Sequence, residues 1–93
     1  MAIQPFADRG TETLFRAGRQ PRYGAMAPTA LRKLDYLNAA AVLDDLRSPP
    51  GNRLEALKGD RAGQYSIRVN DQWRICFVWT DAGPTQVEIC DYH

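Results

Sequence analysis

Histidine occurs once in this chain, cysteine and lysine twice each, and no apolar run approaches the ~20 residues of a membrane-spanning helix. One histidine and two cysteines offer no zinc-ligand spacing, so no metal or other cofactor is expected. The cysteines, Cys76 and Cys90, fall on segments that read as neighbouring strands. Pairing of Val78 near Gln86 would set Cys90 beside Arg74 and not opposite Cys76, so two reduced residues in a sheet are expected rather than a disulfide. The N-terminus lacks the long apolar core of a signal peptide. Together these absences make a cytoplasmic protein with no membrane partner the expectation.

What is present fits one small domain spanning residues 1–93. A chain of this size buries roughly 60–65% of its unfolded surface, and an apolar content of 44% is ordinary for a globular protein. The formal charge is only +1, but ten of the twelve basic residues are arginine. Guanidinium groups grip phosphates bidentately and stack on bases, which fits a nucleic-acid ligand; plain surface solvation fits the composition as well. Near-neutral net charge argues against strong non-specific binding to a polyanion, so any such binding must come from a local patch.

Along the chain, Met1 to Phe6 suits a short opening strand, with Pro5 confined to an edge or strand end. Thr11 to Gly18 reads as a short helix capped by Thr11 and ended by Gly18, burying Leu14 and Phe15. Arg19 to Gly24 is a basic, turn-forming connection. A longer helix is expected from Pro28 to Ala41, with Leu31, Leu34, Leu37 and Ala41 as its core stripe and Arg32, Lys33 and Asp35 off it. Val42 to Arg47 extends the helical character, and Ser48-Pro-Pro-Gly-Asn52 stops it. A first sheet strand over Arg53–Leu57, a polar turn over Lys58–Gly63, and strands at Tyr65–Val69, Trp73–Trp79 and Gln86 onward complete the pattern. The fold class is α+β: a short N-terminal strand and two to three helices packed on one face of a mainly antiparallel sheet.

Alternation in the last third sends Ile67, Val69, Ile75, Phe77, Val87 and Ile89 one way, and Ser66, Arg68, Arg74, Gln86 and Glu88 the other. The second face is expected to be free and to carry arginines. Gathered near it are Lys58, Arg61, Arg68 and Arg74, with Glu55 on the preceding strand and Asp91-Tyr92-His93 where the sequence ends. A terminal segment normally drifts in composition, so an acid, a phenol and the single histidine read as placed. These residue types suffice to cut RNA without a metal. A base takes the 2′-hydroxyl proton, cations stabilise the phosphorane, an acid protonates the departing 5′-oxygen, and an aromatic ring can stack an unpaired base. Taken singly, each residue also has a bland reading: solvated arginines, an incidental histidine, and Glu55 as an ordinary ion-pair partner.

Three stretches carry a resemblance: Leu57-Lys-Gly-Asp-Arg-Ala-Gly-Gln-Tyr-Ser-Ile-Arg68, Asn70-Asp-Gln-Trp-Arg-Ile-Cys-Phe77 and Val87-Glu-Ile-Cys-Asp-Tyr-His93. With Thr11–Arg16 and Arg32–Leu37, they resemble the HigB toxins of the RelE superfamily, toxins of the host-killing, plasmid-maintenance type. The resemblance implies a RelE-like fold and a ribosome-dependent mRNA endonuclease that cleaves the codon exposed in the ribosomal A site. It also implies a HigA-like helix-turn-helix antitoxin as partner, with operator DNA engaged only through the antitoxin complex. The implied catalytic set is Lys58, Arg74, Asp91, Tyr92 and His93, with Arg61 and Arg68 as RNA-binding residues. Arg74 would be the transition-state cation, Lys58 a second cation, His93 the general acid or base, Asp91 its orienting partner, and Tyr92 a base-stacking or proton-transfer group. One departure stands out, because some relatives carry a second histidine where this chain has Glu55. Strict alternation puts Asp91 on the buried side with Ile89, so a twist or bulge near the end is expected to re-aim it. The alternative readings are a non-catalytic RNA- or antitoxin-binding module of the same fold and a metal-dependent nuclease, against which the carboxylates are scattered, with only Asp44-Asp45 paired and expected on a helix away from the arginines.

Overall fold

Asp8 starts the first helix, earlier than the sequence suggests. The computed structural model, which describes Ile3 and residues 5–91, has α1 at Arg9–Ala17 and α2 at Ala27–Ala39. Strands β1 (Glu55–Ala56), β2 (Tyr65–Arg68), β3 (Trp73–Thr80) and β4 (Gly83–Asp91) follow, in one sheet of order β1-β2-β3-β4 with every pair antiparallel. Of the expected opening strand, residues 1, 2 and 4 lie outside the described residues; a single parallel bridge joins Phe6 to Val87.

The α1 cap is Asp8, not Thr11. Its carboxylate accepts from the Thr11 amide at 2.9 Å, the Thr11 hydroxyl at 2.8 Å and the Tyr23 hydroxyl at 3.2 Å. Gly10 disguises this start, since glycine weakens a helix; a Cβ here would stand 3.0 Å from Tyr23 Oη and from an Arg22 nitrogen, so the close approach of Tyr23 favours glycine. Gly18 ends the helix at φ 76°, as the sequence indicates. Thr11 is fully buried and has a larger task. Its oxygen, while donating to Asp8, accepts from the Ile89 amide at 2.9 Å. With Ala7 N–H donating to Val87 O at 2.9 Å and Val87 N–H to Pro5 O, the outer edge of β4 is stitched to the N-terminal segment and is not an open edge.

In α2 the buried positions are Ala30, Lys33, Leu34 and Leu37, while Leu31 is half-buried and Ala41 lies exposed beyond the helix end. Lys33, expected off the core stripe, is 8% exposed because its ammonium donates to Asn52 Oδ1 at 2.6 Å. The helix does not run on through Val42. Ala40 leaves helical geometry at ψ 131°, Leu43–Arg47 form a 3-10 turn, and Val42 is exposed. Asp45 replaces the lost helical bonds by accepting from the Ala41 and Val42 amides at 2.9 and 3.2 Å, and Asp44 pairs with Arg47 at 3.0 Å.

The core lies between the helices and one face of the sheet, where Ile67, Ile75, Phe77 and Val87 are wholly buried with Leu14, Leu34 and Leu37. Every residue assigned to that face by alternation is there. The β3–β4 register shifts once: Cys76 faces Glu88 but Val78 faces Thr85, so β4 carries an extra residue, and Gln86 absorbs it at φ 53°.

Replacing Thr11 by Val keeps the shape and removes both hydroxyl bonds, leaving the buried Ile89 amide unpaired; a loss of about 2 kcal/mol in urea unfolding is expected. Burial alone would raise the Asp8 carboxyl, but the bonds from Thr11 and Tyr23 and the charge of Arg22 outweigh it and hold it below its usual range. The depressed folded value means that Asp8 stabilises the fold fully above the unfolded carboxylate range near ~3.9 and loses this as pH falls through the folded value. Asp8→Asn should therefore destabilise markedly at neutral pH and progressively less below about pH 4, read from urea midpoints along a pH series.

Candidate functional site

The second face of the sheet begins with its register. Glu55 pairs with Ser66, Ser66 with Cys76, Arg68 with Arg74, and Arg74 with Cys90. Side chains at paired positions share a face, so Glu55, Ser66, Arg68, Arg74, Cys76, Glu88 and Cys90 stand on one side, opposite the core. The Arg74–Cys90 pairing expected from the sequence is present. The face is not free, however. Ser66 and Cys76 are wholly buried, and Leu57, entering from the end of β1, packs with Cys76 and Cys90 into a second small apolar cluster.

Two arginines are built into this face in different ways. Arg61, on the 3-10 turn at Gly59–Arg61, donates to Glu88 Oε1 at 2.9 Å and Gln64 Oε1 at 3.0 Å. The Glu88 bond, ahead of the opposing effect of burial, holds its guanidinium even more firmly charged than usual. Arg74 donates Nε to Ser66 Oγ at 2.7 Å and Nη2 to the Arg53 carbonyl at 2.8 Å, with a longer contact to Ser66 O. Arg68 pairs with Asp71 in the β2–β3 turn.

The cysteines lie diagonally across β3 and β4. The neighbouring Cys90 thiol, assisted by the charges of Arg61 and Arg74 against the effect of burial, lowers the Cys76 thiol, while the Cys76 neighbour together with burial raises that of Cys90, whose Sγ donates to the Glu88 carbonyl at 3.8 Å. Both are free thiols, as the sequence reading expects.

Glu55 and Lys58 line one shallow depression with Ala56 and Leu57. The first strand is shorter than the expected Arg53–Leu57, because Arg53 adopts the left-handed conformation, φ 47° and ψ 57°, after the Pro50–Asn52 turn. Asp91 is exposed, and its register with Trp73 is regular. The expected bulge that would re-aim it is absent from this end of β4, since the irregularity sits at Gln86. Asp91 thus keeps the face of Ile89 and Trp73, and its carboxylate accepts from Gln72 Nε2 at 3.0 Å. Tyr92 and His93 lie outside the described residues.

Residues 4–93 match the family model described as the RelE-like toxin of the type II toxin–antitoxin system HigB. The chain belongs to the HigB-like toxin family. It is 41% identical over 83 residues to Toxin HigB-1 of Vibrio cholerae, covering 87% of this chain and 86% of the relative. It is 29% identical over 92 residues to Endoribonuclease HigB of Proteus vulgaris, covering 98% and 99% of the two chains. Among solved structures, a chain of the YoeB–YefM complex from Staphylococcus aureus aligns with a TM-score of 0.59 at 20% identity, over 100% of this chain and 97% of that one. The last likeness concerns the fold, which is RelE-like.

In this HigB-like chain, the residues that sequence reasoning missed are the ones holding the cations. Alternation points Ser66 to a solvent face, yet it is wholly buried against Arg74. Asn52, read as part of a turn, is also wholly buried; it accepts from Lys33 and donates to the Leu46 and Ser48 carbonyls at 3.2 and 3.3 Å. Burial, then the charges of Arg32 and Arg68, lowers the Lys33 ammonium from its usual range. The short polar Ser66 between Tyr65 and Ile67 was the available signal, since a small hydroxyl on an arginine-bearing face can accept from a guanidinium.

The thiol geometry makes a testable demand. The Cys76 thiolate should form below the ordinary thiol range near ~8.5. Cys90→Ala, which removes the neighbouring thiol, should move that transition upward, as followed by thiolate ultraviolet absorbance across a pH titration of folded protein.

Proposed function

We propose that this HigB-like toxin is a ribosome-dependent endoribonuclease that cleaves mRNA in the ribosomal A site, by attack of the 2′-hydroxyl on the adjacent phosphate and without a metal. The observation that carries this reading is Arg74: a guanidinium oriented on a sheet face through bonds to Ser66 Oγ and the Arg53 carbonyl. A phosphorane carries more negative charge than the phosphodiester it forms from, and a fixed cation stabilises it preferentially. The activity named for the Proteus vulgaris relative, Endoribonuclease HigB, supports the same reading.

In this scheme Arg74 stabilises the phosphorane and Lys58 supplies a second cation. Glu55, which lines the depression with Lys58 and pairs in register with Ser66, takes the 2′-hydroxyl proton. His93 protonates the 5′-oxygen, Tyr92 stacks on the substrate base, and Asp91 assists at the end of β4. Arg68 contacts the RNA backbone. Arg61 adds positive potential, although its bonds to Glu88 and Gln64 commit it first to holding the turn after β1. A HigA-like helix-turn-helix antitoxin would hold the toxin inactive in the cytoplasm, with operator DNA reached only through the complex.

Primer extension on a defined mRNA, with and without translating ribosomes, tests the reading. Cuts are expected only with ribosomes and at fixed codon positions, and Arg74→Ala should reduce the single-turnover rate by about 100-fold or more. The absence of cuts from folded protein under both conditions would favour the non-catalytic binding module. Glu55→Ala should lower the rate by at least about 100-fold if the carboxylate is the base; a parental rate would return Glu55 to a structural role.

A further inference from the structure

From the geometry around Arg74 we infer that Ser66 and the left-handed turn at Arg53 are positioning residues for this reaction: they fix the guanidinium of Arg74 and touch no substrate themselves. The inference rests on the nuclease reading above and names how its principal cation is aimed.

Arginine has a long, rotatable stem, and leaving it unconstrained costs several rotamers' worth of misdirected states. Here the stem is fixed at two points on the guanidinium plane, Nε on Ser66 Oγ and Nη2 on the Arg53 carbonyl. Two bonds to different atoms of one plane set its tilt as well as its place, which a single bond would not. Both acceptors are themselves immobile. Ser66 sits in β2, wholly buried and paired on both sides, with Glu55 and with Cys76. The Arg53 carbonyl is held by a chain of bonds reaching back to α2. Lys33 donates to Asn52 Oδ1; Asn52 Nδ2 donates to the Leu46 and Ser48 carbonyls; the Asn52 and Arg53 amides donate to Pro49 and Pro50 at 2.9 and 3.1 Å. Arg53 then turns into the left-handed region at φ 47°, a conformation that non-glycine residues rarely adopt and that aims its carbonyl at Arg74. A non-glycine residue in this conformation, ending in a bond to the proposed cation, is a backbone arranged for that bond.

The test uses the full-length toxin in the ribosome-dependent cleavage assay, with melting temperature measured in parallel. Ser66→Ala removes the Nε acceptor and should lower kcat about tenfold, the weight of one hydrogen bond to a charged group, while the half-saturating ribosome concentration stays within twofold or so of the parent's. Arg53→Gly and Arg53→Val both delete the same side chain and charge, but glycine takes φ 47° freely and valine resists it. The valine variant should therefore be at least several-fold slower than the glycine variant, and this comparison decides the matter even if Ser66→Ala does not fold. Equal rates for the two Arg53 variants overturn the inference, as does a folded Ser66→Ala that cleaves at the parental rate or that changes only the half-saturating concentration. If Arg74→Ala itself cleaves like the parent, it is the nuclease reading that falls.

Discussion

The structure depends on burying one side of an alternating sequence. Ile67, Ile75, Phe77, Val87 and Ile89 occupy every second position of β2, β3 and β4 and pack against Leu14, Leu34 and Leu37. A slip of one residue in any of these strands would turn its apolar set toward the other face, which burial forbids. With one side so constrained, the positions of Ser66, Arg74, Cys76, Glu88 and Cys90 on the other side follow without further choice. The stability of the core and the placement of the polar groups are therefore the same event. The joint at Thr11 completes it, since one hydroxyl closes the cap of α1 and the outer edge of β4 together.

The polar face shows two ways to use an arginine. Arg61 is neutralised in part by Glu88 and ties the β1–β2 turn to β4, a cross-sheet clasp. Arg74 is oriented by a hydroxyl and a carbonyl. Under the proposed nuclease reading, these two acceptors are what aims Arg74 at its substrate.

Period-two patterning made the sheet legible from sequence: the strand order, the inward set, the Arg74–Cys90 register and the Asn70–Gln72 turn all follow from alternation and turn chemistry. Less legible were features in which a polar side chain works inside the fold. Lys33 and Asn52 look like surface residues, and only the tertiary pairing that satisfies both permits their burial. Gly10 hid the true start of α1, because its steric reason, Tyr23, lies thirteen residues further on. The interruption after Ala39 was masked by continued apolar spacing through Leu46, while the competing bonds come from the Asp45 carboxylate. For the site, alternation and turn chemistry nominate Arg74, Lys58 and Glu55 as neighbouring candidates. Their supports were not legible, since a carbonyl acceptor such as that of Arg53 has no side-chain signature.

The extra residue at Gln86 has an evolutionary consequence. Because β4 absorbs a one-residue offset there, the β3–β4 hairpin is decoupled from the segment that follows. A change of length at the Asp81–Ala82 tip can be accommodated without rotating Glu88 or Cys90 off their face, because their register is set by Cys76 and Arg74 beyond the bulge. Selection on the polar face and selection on the hairpin tip can then proceed separately. The bulge acts as a boundary between the hairpin and the part of the sheet that carries the polar face.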